Sequence, residues 1–282
     1  MYVDDVLAGF HTQQKSINAR NELIRALDSA GFTLRKWTSN SKQILEDLPP
    51  DHLLHEEFLK LEDNSSAKTL GIRWNACSDN FYFAANPFPE TENYTKRQVL
   101  SNIAKLFDPA GWLAPCIILA KILMQKIWID GTGWDENLSP DALSQWKSFL
   151  SNYSVINTIR IPRWVDYHPN AKIQFHGFCD ASEKAYAAAL YVRVADSNSI
   201  STHLISSKTK VAPIKTLSIP RLELCGAVLL AEMIDNLLPQ LDLNQYSLFC
   251  WTDSTISNED YSSRFMFKLE TRKLGSESIG FS

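Results

Sequence analysis

Two hydrophobic periods divide the chain. In residues 12–30, Ile17, Leu23, Ile24, Leu27 and Ala30 recur at helical spacing, and Gly31 stands where a C-cap is expected. Before it, Tyr2 to Phe10 reads as a hairpin with Asp4-Asp5 in its turn, and after it Phe32 to Trp37 reads as a strand. Ser39 to Ser66 is polar and acidic, a surface insertion. Lys68 to Ala85 predicts two strands around the turn sequence Ser78-Asp79-Asn80. Thr95-Lys96-Arg97-Gln98 is a capping box, and the helix it opens runs through Val99, Ile103 and Leu106 towards Pro109. A second helix starts at Pro115, and Trp128 to Trp146 predicts a Gly-Thr-Gly turn and a further short helix. Pro162 and Pro169 bracket a linker.

Period two then takes over. Ile173 to Cys179 alternates and ends on Asp180; Tyr186 to Val194 and His203 to Ser207 are further strands. Ile219 to Leu238 is a helix with Pro220 in its first turn, and Ser247 to Trp251 is a strand ending on Asp253. Strand, strand, strand, helix, strand implies a mixed sheet with helices packed on it. After Thr255 the pattern decays, and residues 257–282 show little periodicity.

Composition refines this picture. With 282 residues and 45% hydrophobic content, the chain is long enough for about two globular domains. The net charge of −4 argues against a simple nucleic-acid binder. The acidity is local, however: residues 46–63 carry −6, leaving +2 over the rest. Five cysteines without a CxxC spacing read as reduced thiols, hence an intracellular protein. The most apolar run, Pro115 to Ile129, is interrupted by Lys121, Gln125 and Lys126. It is also shorter than the ~20 residues of a membrane span, so no membrane partner is expected.

Two acidic groupings could carry chemistry. Asp4-Asp5 are adjacent carboxylates in a tight turn; they are either solvated turn aspartates or ligands of a divalent cation. Asp180 and Asp253 end strands and Glu223 is expected in the first turn of a helix. They are either three surface acids or oxygen ligands converging at one end of a sheet, a set that suits paired Mg²⁺ ions. His52 and His55 have metal-compatible spacing but no third ligand nearby, so they read as a solvated pair; His11, His168, His176 and His203 join no pattern.

These residues sit in blocks that resemble a known family. Tyr2-Val3-Asp4-Asp5 resembles the YxDD box of reverse transcriptases. The later blocks are Leu34 to Asn40 (LRKWTSN), Lys68 to Trp74 (KTLGIRW), Thr95 to Pro115 (TKRQVLSNIAKLFDPAGWLAP), Phe175 to Arg193, Ile219 to Met233 and Trp251 to Thr255 (WTDST). In that order, over about residues 1–256, they resemble polyproteins of the BEL/Pao class of LTR retrotransposons. The resemblance implies an α+β, multidomain chain: residues 1–90 the C-terminal part of a reverse transcriptase palm, 91–169 a helical thumb and connection, 170–256 a truncated ribonuclease H-like domain, and 257–282 a divergent tail.

It also implies chemistry. Asp180, Glu223 and Asp253 match metal-binding acids for two-metal phosphodiester cleavage, and Asp4 and Asp5 match nucleotide-metal ligands, with Mg²⁺ (or Mn²⁺) as cofactor. The implied partners are RNA, DNA, the RNA–DNA hybrid and the remainder of the polyprotein. Lys96, Arg97 and Lys105 on the thumb, and Lys208, Lys210, Lys215 and Arg221 before the Glu223 helix, are candidates to track phosphates. Each is otherwise solvated surface charge. Because no palm aspartate precedes Met1 and the last helix of the nuclease is missing, the isolated chain is expected to lack polymerase activity and to show weak or absent hydrolysis. Asp260 comes too soon to replace the last acid. The region also resembles segments grouped as a Pao retrotransposon peptidase, and Asp253-Ser254-Thr255 offers two positions of an Asp-Ser/Thr-Gly loop, but not its glycine. A non-catalytic nucleic-acid-binding remnant is the remaining alternative.

Overall fold

The computed structural model describes residues 6–54, 68–69, 72–86, 88, 91–197, 199–241, 243, 245–253 and 265–269. They divide into two compact units, one drawn from residues 1–83 with 159–163, the other from 84–158 with 164–282. The chain is α+β in both.

In the first unit, helix α1 (Gln13–Asp28) starts where Thr12 accepts a hydrogen bond from the Lys15 amide, and Gly31 takes φ +79° just beyond its end. Arg20 on α1 is buried and donates to the Ile44 carbonyl, tying the helix to the short 3₁₀ turn Lys42–Ile44. A four-stranded antiparallel sheet follows in the order β1 (Lys68–Thr69), β2 (Ile72–Asn75), β3 (Asn80–Tyr82), β4 (Arg160–Pro162). The β2–β3 turn falls at Ser78-Asp79-Asn80 as expected, with Asp79 left-handed at φ +51°.

The Asp79 carboxylate accepts from Arg163 (2.6 and 2.8 Å), the Trp74 indole (3.0 Å) and Asn40 (3.1 Å). Burial pushes this carboxyl up, but the Arg163 and Trp74 hydrogen bonds and the Arg163 charge outweigh it and hold the pKa below the ordinary value.

Three expectations change here. Phe32 to Trp37 is not a strand: Lys36 turns left-handed at φ +60°, and only Trp37 makes a bridge, to Leu53. The linker expected from Pro162 begins instead as edge strand β4, where a proline is tolerated. Of the expected hairpin at 2–10, residues 6–10 carry no strand and residues 2–5 lie outside the described residues.

In the second unit, α2 (Lys96–Ala104) opens with the capping box in both directions, Gln98 amide to Thr95 Oγ1 and Thr95 amide to Gln98 Oε1. It packs with α3 (Ala114–Ile129) and α4 (Pro140–Ser151) around Tyr94, Val99, Leu123, Ile127 and fully buried Trp146. The mixed sheet has the order β7 (Ile200–Val211), β6 (Ala185–Ala195), β5 (Lys172–Ala181), β8 (Ser247–Thr252), β9 (Phe265–Leu269). Only β5–β8 is parallel. Strand β9 pairs antiparallel with β8, so the patternless reading of the tail is corrected at 265–269: the pairing is long-range and leaves no local period in sequence.

Alternation decides the sheet faces. Ile173, Phe175 and Cys179 share one face with Ala188, Leu190, Val192 and Val194, all buried beneath helix α5 (Ile219–Leu237) through Leu229, Leu230 and Met233. Each such aliphatic contributes about 1.5–3 kcal/mol. Helix and strand meet through glycines: a Cβ on Gly177 would lie 2.8 Å from Leu230, and one on Gly226 would lie 3.2 Å from the Asp180 carbonyl oxygen.

The free edge of β7 is covered by residues 108–113. Ser207 donates its amide to the Ala110 carbonyl (2.9 Å) and its hydroxyl to the Gly111 carbonyl. The Trp112 indole donates to the Leu204 carbonyl (3.1 Å), and Gln125 to the Ala212 carbonyl (2.7 Å). Such capping removes a strand-pairing hazard. Gly111 sits at φ +79°, and a Cβ there would fall inside the Ser207 carbonyl group.

Gly111→Ala is therefore expected to lower stability by about 2–4 kcal/mol. Gly31→Ala, at the same φ but with open space around it, should cost about 1 kcal/mol. Denaturant midpoints compare them, and equal losses would refute the packing argument. For Asp79, the folded pKa lies below the unfolded 3.8, so its contribution is present above about pH 4 and is lost as pH falls through the folded value. Partial exposure limits it to about 1 kcal/mol. Asp79→Asn should remove that acid-side slope in denaturation curves recorded from pH 6 to pH 3.

Candidate functional site

The parallel β5–β8 pair sets Phe178 opposite Trp251, so Asp180 and Asp253, each two residues further on, emerge in step at one sheet end and on one face. Asp180 Oδ1 accepts from the Ala181 amide (2.7 Å). Glu223 stands one turn before Gly226, the residue that lets α5 lie against the Asp180 carbonyl. The Cys179 thiol is buried on the strand next to Asp180. Burial pushes its pKa up, and the charges of Asp180, Asp253 and Glu223 push it the same way against a hydrogen bond with Thr252.

The three acids thus converge on one end of the sheet. They are not drawn into a closed cage: among the described residues, no group of three or more His, Cys, Asp or Glu side chains is arranged to hold a metal ion. The donor set, three carboxylates with Asp180 and Asp253 exposed and Glu223 half-buried, is the oxygen-rich kind that hard cations take.

Asp4 and Asp5 lie outside the described residues, as do His55, Ser254, Thr255 and Asp260. His52 is 3.7 Å from Asp51, while His168 pairs with Asp196 and His203 with Asp166.

The basic residues separate into two groups. Lys96 is 6% exposed; its ammonium donates to the Thr132 carbonyl (3.1 Å) and lies 3.9 Å from the Trp128 ring centre and 5.2 Å from that of Trp134. Its charge is spent inside an aromatic corner. Arg97 makes a two-pronged pair with Asp135 (2.8 and 3.0 Å), whose bonds and charge raise the arginine and lower the aspartate. Lys105 is exposed beside Phe88. Lys208, Lys210, Lys215 and Arg221 are exposed at the acid end of the sheet, with no ion-pair partner among the described residues. Lys184, in the β5–β6 turn beside Ala212, joins them, and sequence reasoning missed it.

A second feature was also missed. On the sheet face opposite α5, four rings stack in sequence. Phe249 and His176 are 5.0 Å apart at 16°, His176 and Trp251 6.1 Å at 17°, and Trp251 and Phe178 6.2 Å at 12°. Tyr191 meets Phe178 edge-on at 5.8 Å. Trp251 Nε1 donates to His176 Nδ1 (3.2 Å), while burial and then the Arg193 charge hold the imidazole pKa down. The signal was present as aromatic rings at alternate positions of HGFCD and LFCWTD, out of phase with the core.

A family model described as the Pao retrotransposon-like RNaseH-like domain matches residues 95–254. The chain belongs to that family. It is a segment of a Pao/BEL-type retrotransposon polyprotein, and the match spans Asp180, Glu223, Asp253, the ring stack and Gly111. No curated protein matches the chain. Among solved structures, it is similar to one described as the foamy viral protease-reverse transcriptase in complex with dsDNA. The two are 14% identical, with a TM-score of 0.18 over 78% of this chain and 44% of the other. The chain thus spans less than half the length of that protein. None of the described helices of this Pao-family chain is long and apolar enough to cross a membrane.

The placement of Lys96 has a measurable consequence. Lys96→Ala is expected to cost about 1–2 kcal/mol of stability through the lost aromatic and carbonyl contacts. Arg97→Ala, at an exposed ion pair, should change it little. Thermal denaturation of the two variants checks this, and an unaffected Lys96→Ala would contradict the buried placement.

Proposed function

We propose that the ribonuclease H-like region of this Pao-family chain hydrolyses the RNA strand of an RNA–DNA hybrid, with Asp180, Glu223 and Asp253 as ligands of Mg²⁺ (or Mn²⁺). The observation that supports this reading is the parallel β5–β8 register, which brings Asp180 and Asp253 to one end of the mixed sheet, with Gly226, one turn after Glu223, set against the Asp180 carbonyl. Bound there, such a cation supplies an activated water and stabilises the leaving oxygen. The protein's own part is to hold three carboxylates on rigid strand and helix ends. Lys208, Lys210, Lys215 and Arg221, with Lys184, flank them and attract the backbone phosphates that the carboxylates alone would repel. In the same reading, residues 1–90 derive from a reverse transcriptase palm, with Asp4 and Asp5 as nucleotide-metal ligands, and residues 91–169 from its thumb and connection. Intracellular action on RNA and DNA, as one part of a polyprotein, completes it.

The test is a hybrid with labelled RNA, incubated with the purified chain. The expected result is slow, Mg²⁺-dependent cleavage confined to the RNA strand. Asp180→Asn should reduce it about a hundredfold or more, the scale of losing several kcal/mol of transition-state stabilisation. Calorimetry should show Mn²⁺ binding to the wild type that the same substitution weakens. Mn²⁺ binding indifferent to Asp180→Asn would overturn the assignment.

A further inference from the structure

The helical layer of the second unit holds a cavity of about 500 Å³ that shares no residue with the acid site. Its volume is that of a small-molecule site. Helical spacing builds one wall: Lys147, Leu150 and Ser151 lie on one face of α4, and the 3₁₀ turn Tyr153–Thr158 continues it. Asn157 in that turn fixes the facing wall. Its side-chain oxygen accepts from the Ala85 amide (2.6 Å), and its nitrogen donates to the Ala85 carbonyl (2.9 Å). Phe88, Tyr94 and Tyr153 line the space with rings, and those of Phe88 and Tyr153 are 4.7 Å apart at 48°.

Two observations point to an occupant. Tyr153 is 5% exposed, yet its hydroxyl has no hydrogen-bond partner among the described residues. Burial is the one influence on this phenol and pushes its pKa up, so it remains a donor. A buried hydroxyl without a partner is unfavourable, and an acceptor brought into the cavity removes that cost. The second observation is charge. Lys147 lines the cavity, the Lys105 ammonium lies 5.4 Å from the Phe88 ring centre, and no acid is among the described residues that line it.

We propose that this cavity binds a nucleoside monophosphate, with its base against the Phe88, Tyr94 and Tyr153 rings, an acceptor of that base on the Tyr153 hydroxyl, and its phosphate at Lys147. The rings take a flat partner, the phenol takes an acceptor on that partner's edge, and the lysine takes an anion. A nucleotide carries all three. The inference goes beyond the nuclease reading and does not depend on it, since none of Asp180, Glu223 and Asp253 takes part. The same chemistry is offered by a free nucleotide and by the 5′-phosphorylated end of a strand.

Calorimetric titration of the full chain in EDTA with uridine 5′-monophosphate, uridine and inorganic phosphate tests this. The expected result is saturable binding of the monophosphate, about tenfold tighter than uridine, and none of phosphate alone. Tyr153→Phe keeps the ring and should weaken the monophosphate and uridine alike, about tenfold. Lys147→Ala should bring the monophosphate down to the level of uridine and leave uridine where it was. A 5′-phosphorylated uridine dinucleotide separates the two sources: binding as tight as the monophosphate assigns the seat to a strand end, and weaker binding assigns it to the free nucleotide. Tyr153→Phe should also leave the thermal midpoint of the free chain undiminished, because the hydroxyl it removes makes no bond there. A lowered midpoint would overturn the proposal, as would absent binding of the monophosphate or binding indifferent to both substitutions. Without metal in the titration, these outcomes are separate from cleavage in the hybrid assay.

Discussion

The acid end of the sheet depends on how closely α5 lies on β5. That distance is set by two glycines: a Cβ on Gly177 of the strand would press on the Leu230 side chain at 2.8 Å, and one on Gly226 of the helix would crowd the Asp180 carbonyl oxygen at 3.2 Å. Gly226 brings the helix against the Asp180 carbonyl one turn after Glu223, so the same contact that closes the core delivers the third carboxylate to the other two. A larger residue at Gly226 would press on backbone and push the helix, and Glu223 with it, away from the Asp180 strand, whereas at Gly177 the Leu230 side chain can give. Leu229, Leu230 and Met233 supply the burial that holds the contact. The site geometry is therefore a by-product of core packing, with no loop required to position it.

The block around Asp108-Pro109-Ala110-Gly111-Trp112 follows the same logic at the opposite edge. Asp108 accepts from the Trp112 (2.9 Å) and Leu113 (2.6 Å) amides, while burial raises its pKa and those backbone bonds pull it down. A half-buried acid is kept there because it satisfies the Trp112 and Leu113 amides of the turn that leads into α3. The block thereby fixes the helical layer to the edge of β7 through Gly111 and Trp112. Part of what the family match covers is thus structural, and its charged residues need not touch a ligand.

Much of the fold was legible in the sequence. The capping box at Thr95, the alternation in β5 and β6 and the helix at Ile219 all arise from local periodicity, and they appear within a residue or two of where the pattern puts them. What escaped was long-range or conformational. Strand β4 exists because Asp79 captures Arg163, 84 residues away, and β9 exists because β8 offers an edge. Phe32 to Trp37 fails as a strand because Lys36 takes a positive φ that no propensity announces. At the site, the three acids were legible as types. Their convergence depends on strand order, and the burial of Lys96 depends on two tryptophans more than thirty residues away.

Charge explains why the two halves of the site belong together. Three carboxylates at a sheet end repel one another and any phosphate, a cost that falls when cations approach. The chain supplies fixed cations around them on β7, in the turns and at the start of α5, although its overall charge is negative. The acidity that makes the total negative lies mostly in residues 46–63, distant in sequence from this surface. A strand drawn in by those cations would still slide along them, because point charges fix no register.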